Sequence, residues 1–281
     1  MMRIVADSGS TKTAWWVGDE NARSAGDGRV LKTLGINPFQ MSAEEMVSAM
    51  MPAREQVENV VAIDFYGAGC TREKAPEVAA ALHKVFGERA CVSVNSDLLG
   101  AAHAVCGSEE GIVCILGTGS NSCWYDGCVI RENVSPLGFI LGDEGSGAYI
   151  GRRLVGNCLK RQFSKELCDL FLKETNLTAA EIVQRTYRQP QPNRFLASLT
   201  PFCFRHHDRD EMRRFLIDCF SEFFLRNVAL YGRKDLAVHF VGSIAWQYED
   251  ELSAAAGQCE FRLGRILKEP LDAMVNYVLC K

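Results

Sequence analysis

No apolar run in this 281-residue chain is long enough to cross a bilayer, so no spanning helix is expected. Positive charge is not in excess either: 31 Lys and Arg stand against 35 Asp and Glu, for a net charge of −4. That balance gives no electrostatic footprint for nucleic acid or for an anionic membrane surface. The opening Met1-Met2-Arg3-Ile4-Val5-Ala6-Asp7 runs straight into a strand pattern. It lacks the basic start, apolar stretch and small-residue cleavage site of a signal peptide, so a cytoplasmic location is expected. Cys-x-x-Cys is absent. The 12 cysteines are scattered, which fits reduced thiols better than a disulfide framework. The histidines include one adjacent pair, His206-His207, without a partner at zinc-finger distance, and that pair is expected on a solvated surface. Two nucleotide signatures are also missing. There is no Gly-x-x-x-x-Gly-Lys-Ser/Thr loop, and the richest glycine cluster lacks the third glycine and following helix of a dinucleotide fingerprint. What remains is 47% hydrophobic and 23% charged, an ordinary globular composition with length for two domains.

The most informative feature is a motif written twice. Residues 4–19 read as an apolar strand, the turn Asp7-Ser8-Gly9-Ser10-Thr11-Lys12-Thr13, then an aromatic strand. Residues 114–129 repeat this around Gly117-Thr118-Gly119-Ser120-Asn121-Ser122. The turns lie 110 positions apart, with Gly9 matching Gly119 and Ser10 matching Ser120. Hairpin tips of this composition leave backbone N–H groups able to approach a phosphate closely. The first copy carries a carboxylate, Asp7, where the second has Gly117. A nucleotide held between two lobes, with a metal ion on one side, is the arrangement this suggests.

Periodicity divides the chain near residue 107. Over 1–107 the expected order is strands 2–7, 12–18 and 29–34, a helix over 43–52, a strand over 57–66, a helix over 76–86, a strand over 91–94 and a helix opening at Asp97. Ser42 and Glu45 have capping-box spacing. Over 108–281 the hairpin theme returns as strands 111–116, 122–126 and 128–133. A helical insertion over about 145–230 follows, broken by Pro190, Pro192 and Pro201. Strand 236–241, helix 247–256, strand 259–264 and a closing helix after Pro270, 271–280, complete the pattern. The expected class is α/β, with two related lobes facing a cleft.

Several residues in this frame have the chemistry of a phosphoryl-transfer site. Asp7, at the end of the first strand, suits Mg²⁺ held through its water shell, or equally an Asx-type turn. Lys12 reads either as a phosphate partner or as a solvated strand residue. Asp97 ends a strand and starts a helix, and reads as a general base or as a helix N-cap; a helix N-terminus is expected to keep it ionised. Asp143 and Glu144, among glycines before a helix, suit sugar hydroxyls, because charge-assisted hydrogen bonds are strong; capping would need only one of them. Asn37, in Gly35-Ile36-Asn37-Pro38, and Gly67-Ala68-Gly69 read as ligand-facing turns or as ordinary ones.

Together these motifs resemble the ASKHA superfamily (sugar kinases, Hsp70, actin), and within it the N-acetylglucosamine kinase-like branch of the BadF/BadG/BcrA/BcrD-type ATPases, over nearly the whole chain. Asp7–Thr13 is similar to the phosphate-1 loop, with Ser8 where glycine is usual. Gly117–Ser122 is similar to the phosphate-2 loop, and Val241-Gly242-Ser243 to the adenosine motif, with one glycine where two are usual. The resemblance implies two ribonuclease H-like (actin/hexokinase-type) domains facing a nucleotide cleft, with the helical insertion in the second and the last helix packing back on the first. It implies ATP and Mg²⁺ as cofactors and a small-molecule sugar as substrate, with a dimer common in the family. It assigns ATP phosphates to Gly9, Ser10, Thr11, Lys12, Thr13, Gly117, Thr118, Gly119, Ser120 and Asn121, and adenosine to Gly242 and Ser243. The sugar falls to Asn37, Gly67, Gly69, Asp97, Asp143 and Glu144. Asp97 would accept the proton of the sugar 6-hydroxyl as that oxygen attacks the γ-phosphate, and domain closure would exclude water.

Two other readings compete. An activator ATPase of a reductase or dehydratase would carry an iron–sulfur cluster at a subunit contact, and Cys114-Ile115-Leu116-Gly117-Thr118-Gly119 is close to its cysteine loop. Cys114, however, falls mid-strand, where a buried small apolar residue is expected. A non-catalytic sugar or nucleotide sensor has no need of the acids Asp7, Asp97 and Asp143.

Overall fold

The computed structural model describes residues 1–9 and 11–281, and the chain forms two compact units. The first holds Met1–Glu109, Gly127–Val129 and Glu269–Lys281; the second holds Glu110–Asp126 and Ile130–Lys268.

In the first unit the chain runs β1 (Met2–Ser8), β2 (Lys12–Asp19), β3 (Gly28–Leu34), α1 (Ala43–Arg54), β4 (Val60–Gly67), α2 (Ala75–Phe86), β5 (Cys91–Ser96) and α3 (Asp97–Val105). The sheet order is β3-β2-β1-β4-β5, with β1 antiparallel to β2 and parallel to β4. Alternation sorts the side chains by face. Ile4 and Ala6 of β1, Trp15 and Val17 of β2, and Ile63 and Phe65 of β4 join Met46, Met50, Val78 and Leu82 of α1 and α2 in one core. Trp16 points the other way. Its indole lies across Gly18 and Gly28, where any Cβ would meet it within 2.4 Å, and its Nε1 donates to Ala25 O at 2.8 Å. Ser42 and Glu45 form the expected capping box: Ser42 Oγ accepts from Glu45 N at 3.2 Å, and Glu45 Oε2 accepts from Ser42 N at 2.7 Å.

The second unit runs β6 (Glu110–Leu116), β7 (Ser120–Asp126), β8 (Ile130–Glu132), α4 (Gly138–Leu141), α5 (Gly147–Leu159), α6 (Lys165–Thr175), α7 (Ala179–Arg188), α8 (Pro192–Ala197), α9 (Thr200–Arg205), α10 (Asp210–Arg226), β9 (Ala237–Val241), α11 (Ser243–Gln247), α12 (Glu249–Gln258) and β10 (Arg262–Leu267). Its sheet order, β8-β7-β6-β9-β10 when read from the β8 edge, reproduces the first sheet strand for strand. The prolines act as boundaries: Pro192 opens α8 and Pro201 sits in the first turn of α9. Phe220, Phe223 and Phe224 of α10 and Leu252 and Ala256 of α12 pack on Ile112, Cys114 and Phe240 of the sheet. The closing helix α13 (Leu271–Leu279) belongs to the first unit and packs on α3 and β1.

Three expected boundaries move. β4 starts at Val60 rather than Val57, because Val57 N closes a turn onto Arg54 O and Asn59 is left-handed, φ 54°. A helix begins at Ser243 rather than near 247, because Trp246 N donates back to Gly242 O. β10 starts at Arg262, since Glu260, φ 62°, and the Phe261 N to Ala256 O bond finish α12 first. The His206-His207 pair is not freely solvated: both are half-buried, His206 Nε2 lying 2.8 Å from Glu174 and His207 Nδ1 3.0 Å from Glu251.

The crossing of α5 and α8 depends on Gly151, where an added Cβ would sit 2.0 Å from Leu196 O. Backbone cannot move aside as a side chain can, so Gly151→Ala is expected to cost about 1–3 kcal/mol in denaturant unfolding. An unchanged midpoint would contradict this packing.

Candidate active site

Parallel register sets the candidate site of the first unit. Ser8 pairs with Gly67 and Gly67 with Ser96, so the carboxyl ends of β1, β4 and β5 end at one edge. In open α/β sheets that edge is where ligands bind. It carries Asp7, Gly67–Gly69 and Asp97.

Ser8, the departure from the usual glycine, has a use. Its hydroxyl, fully buried, accepts from Ile36 N at 2.9 Å and lies 2.7 Å from the Thr13 hydroxyl. Thr13 Oγ1 donates to Leu34 O at 3.0 Å, and Gly35 N donates to Thr11 O at 3.1 Å. The turn presenting Asn37 is therefore tied to the first hairpin, and the Thr13 hydroxyl is spent inside it. Gly9 N donates to Lys12 O at 3.0 Å; Thr11 and Lys12 are exposed; Ser10 lies outside the described residues. Lys12 Nζ meets Glu269 Oε1 at 2.6 Å, a partner 257 positions away.

Asn37 and Gly69 come together. Gly69 has φ 77°, and a Cβ there would be 2.5 Å from Asn37 Oδ1. Asn37 Oδ1 accepts from Phe39 N at 3.0 Å, which aims its NH₂ donors elsewhere. Ala68 N donates to Ser8 O at 2.8 Å, joining this loop to the hairpin.

Asp97 is the first residue of α3, and the cap is its neighbour: Ser96 Oγ accepts from Leu99 N at 3.2 Å. The capping role open to Asp97 is thereby taken. Its Oδ1 accepts from Leu98 N at 2.8 Å. The helix start favours the ionised form of this acid, but burial acts against it. Burial raises its pKa above the usual carboxylate value, outweighing the lowering by the Leu98 and Asp97 amides. Asp7 is pushed up to about 6, first by burial and next by the charge of Asp97, with Lys12 opposing. Burial and then Asp97 push the Cys70 thiol up to about 12, so it stays protonated.

The second unit carries its own candidate residues. Its hairpin closes at Leu116↔Ser120, whereas the first closes at Ser8↔Thr13, so the two loops differ in length and do not match residue for residue. Gly117 O and Thr118 O accept from Gly147 N (2.8 Å) and Ala148 N (3.0 Å) of α5, so the hairpin's carbonyls are spent on the helix. The Ser120 hydroxyl is buried without a partner among the described residues. Asn121 Oδ1 accepts from Asn133 Nδ2 at 2.9 Å. Asp143, left-handed at φ 53° and buried, accepts from Ser120 N at 3.3 Å, and Gly119 leaves its carboxylate room that a Cβ would narrow to 3.2 Å. Burial pushes Asp143 up to about 6 despite the Ser120 amide, with Glu144 adding to the rise. Glu144 is also buried, but Arg226 Nε (3.1 Å) and Asn227 Nδ2 (3.3 Å) take its two oxygens, leaving Asp143 as the acid with capacity for a ligand. Gly242 stands at φ 123° with Leu116 O where a Cβ would be, at 2.2 Å, and Ser243 is exposed at the start of α11. The single glycine of this motif is thus required by the approach of β6 to β9.

Glu269, Arg226 and Asn227 gave no sequence signal; each meets its partner only through the fold. Cys114 is fully buried in β6, where a sulfur cannot reach a cluster at a surface contact. Among the described residues no three or more His, Cys, Asp or Glu are grouped to hold a metal. An ion here would rest on one carboxylate with water and phosphate oxygens, as Mg²⁺ does.

Two mixed five-stranded sheets of one topology, with glycine-rich hairpins at their edges, define an α/β protein of the actin/hexokinase (ASKHA) class. The chain is 43% identical, over 99% of each chain, to a candidate N-acetylglucosamine kinase from Porphyromonas gingivalis, with a TM-score of 0.92. It belongs to the N-acetylglucosamine kinase-like family of that class. Two further structures share the fold. A candidate N-acetylglucosamine kinase from Chromobacterium violaceum is 19% identical, covering 100% of this chain and 99% of its own, with a TM-score of 0.76. A ROK family glucokinase from Streptomyces griseus, solved with glucose and AMPPNP, is 16% identical over 100% and 98%, with a TM-score of 0.58. No family model matches the chain, and no curated protein does.

The raised pKa of Asp143 has a stability consequence. Between its unfolded value near 3.8 and about 6 the native state holds the proton more tightly, so stability falls as pH rises through that window. Asp143→Asn keeps the acceptor for Ser120 N. It is expected to stabilise the protein by up to about 3 kcal/mol at pH 8 and by nothing below pH 4, read by denaturant unfolding. A gain independent of pH would contradict the assignment.

Proposed function

We propose that this chain is a sugar kinase that transfers the γ-phosphate of ATP to the 6-hydroxyl of N-acetylglucosamine. The observation that carries the reading is Asp97: an acid relieved of capping by Ser96, with its proton affinity raised by burial, beside a glycine-lined loop. A base of raised affinity draws a proton from an attacking hydroxyl better than an ordinary carboxylate does. Identity of 43% to a protein carrying the N-acetylglucosamine kinase name supports the acceptor.

In this reading Asn37 and Gly67–Gly69 receive the sugar, and Asp97 takes the proton of its 6-hydroxyl. Asp143 accepts from a second hydroxyl, with Glu144 holding that segment through Arg226 and Asn227. The Gly9 and Gly117 amides close their own hairpins, onto Lys12 O and Gly119 O, so the backbone amides of Thr11, Lys12, Thr118 and Gly119 and the Ser120 hydroxyl serve the phosphates, with Gly242 and Ser243 at the adenosine. The buried, unpartnered Ser120 hydroxyl fits a phosphate acceptor. Mg²⁺ fits Asp7, an acid whose pKa is raised by burial and by the charge of Asp97 more than Lys12 lowers it. When bound through water there, the ion supplies positive charge against the phosphates. No helix among the described residues is long and apolar enough to cross a membrane.

Asp97→Asn is expected to lower kcat by about 10²–10⁴-fold while calorimetric sugar affinity stays within a few-fold. Turnover equal to the parent's would remove Asp97 from the mechanism. Asp7→Asn is expected to raise the Mg²⁺ concentration for half-maximal rate; an unchanged metal titration would count against its role.

A further inference from the structure

Phe39 has no place in the core and none in the roles assigned so far. Its residue surface is 63% exposed, and it is the one aromatic among the exposed large hydrophobics of the first unit's described residues. Of the other large aromatics of that unit, Trp15, Trp16, Phe65, Tyr66 and Phe86 are buried and Tyr277 is half-buried. A single exposed apolar side chain is ordinary on a protein surface. Phe39 differs in how firmly it is held, and beside what.

Its backbone is fixed. Phe39 N donates to Asn37 Oδ1 at 3.0 Å, Gln40 N donates to Asn37 O at 3.0 Å, and Pro38 restricts the intervening φ. Its ring is braced. An added Cβ at Gly69 would sit 3.0 Å from Phe39 Cδ2, so the ring edge lies against bare backbone. The Lys74 ammonium stands 5.9 Å from the ring centroid, itself held by Glu77 Oε1 at 2.7 Å. The turn that orders Phe39 is the turn that orders Asn37, and Ser8 ties both to the first hairpin. The glycine under the ring adjoins Cys70, whose thiol feels the charge of Asp97. An ordered, exposed aromatic face is thus set beside the amide and the glycine loop that receive the sugar.

We infer that Phe39 is a specificity-determining residue whose ring packs on the apolar C–H surface of the acceptor sugar, alongside the Asn37 amide. This rests on the sugar-kinase reading. Hydroxyl groups satisfy Asn37 and the acids, but a sugar also carries apolar surface, in the C–H face of its ring and in the methyl of an N-acyl group. An aromatic plane pre-ordered by backbone hydrogen bonds covers such surface with little entropy lost on binding.

The test compares the parent, Phe39→Ala and Phe39→Trp with ATP saturating, using N-acetylglucosamine and glucose as acceptors. Phe39→Ala is expected to raise acceptor KM about tenfold or more, leaving kcat and the KM for ATP within about twofold, and Phe39→Trp to restore most of the loss. A rise confined to N-acetylglucosamine identifies the acyl methyl as the surface covered; an equal rise for glucose identifies the ring face. Calorimetric binding of the same sugars without ATP gives a second readout. An alanine variant whose acceptor KM and calorimetric affinity both stay within twofold of the parent's overturns the inference. Absence of turnover by the parent with every sugar overturns the kinase reading instead, and calorimetry still decides the role of Phe39. Because Phe39 is exposed, the alanine variant should fold, and an unchanged melting curve confirms that it has.

Discussion

Electrostatic crowding at one sheet edge governs the first unit. The register of β1, β4 and β5 brings Asp7 to the edge where Asp97 opens α3, and the charge of Asp97 adds to burial in raising Asp7. The chain supplies little against this: Lys12 lowers Asp7, but it is half-exposed and shared with Glu269, which raises it. Acids gathered without matching cations are costly to ionise, and proteins keep such arrangements where a ligand or proton transfer uses them. The tether from Ser8 to Ile36 and Thr13 and the cap at Ser96 serve that edge, one fixing the Asn37 turn and the other leaving the Asp97 carboxylate uncapped.

The second unit repeats the topology with a different balance. Its hairpin has no acid at the position of Asp7, and its carbonyls bond to the first amides of α5. Its acids come from the segment before that helix, where Asp143 takes a left-handed conformation beside Gly119 and Glu144 is neutralised by Arg226. The duplicated fold thereby carries two arrangements: Asp7 and Asp97 at strand ends in the first copy, and Asp143, Glu144 and a buried Ser120 hydroxyl in the second.

Much of this was legible in the sequence because it is local. Both hairpins, the Ser42–Glu45 capping box, the buried mid-strand Cys114 and the proline breaks of the insertion depend on residues a few positions apart. Missed features depend on distant partners or on backbone sterics. Ser8 looked like an imperfect loop until Ile36 supplied its donor. Lys12 stayed ambiguous because Glu269 lies at the far end of the chain. The single glycine of Val241-Gly242-Ser243 looked deficient, but only Gly242 meets a carbonyl where its Cβ would be. The helix start alone would lower the pKa of Asp97, and burial, which no local pattern reports, raises it instead.

The central claim is that an acid at the end of β5 activates a sugar hydroxyl toward ATP. The most direct measurement is ATP turnover across a panel of hexoses and N-acetylhexosamines, with the phosphorylated position of any product read by ³¹P NMR. The account predicts turnover stimulated most by N-acetylglucosamine, with phosphate on oxygen 6. ATP turnover indifferent to every sugar, or phosphate found only on the anomeric oxygen, would contradict it.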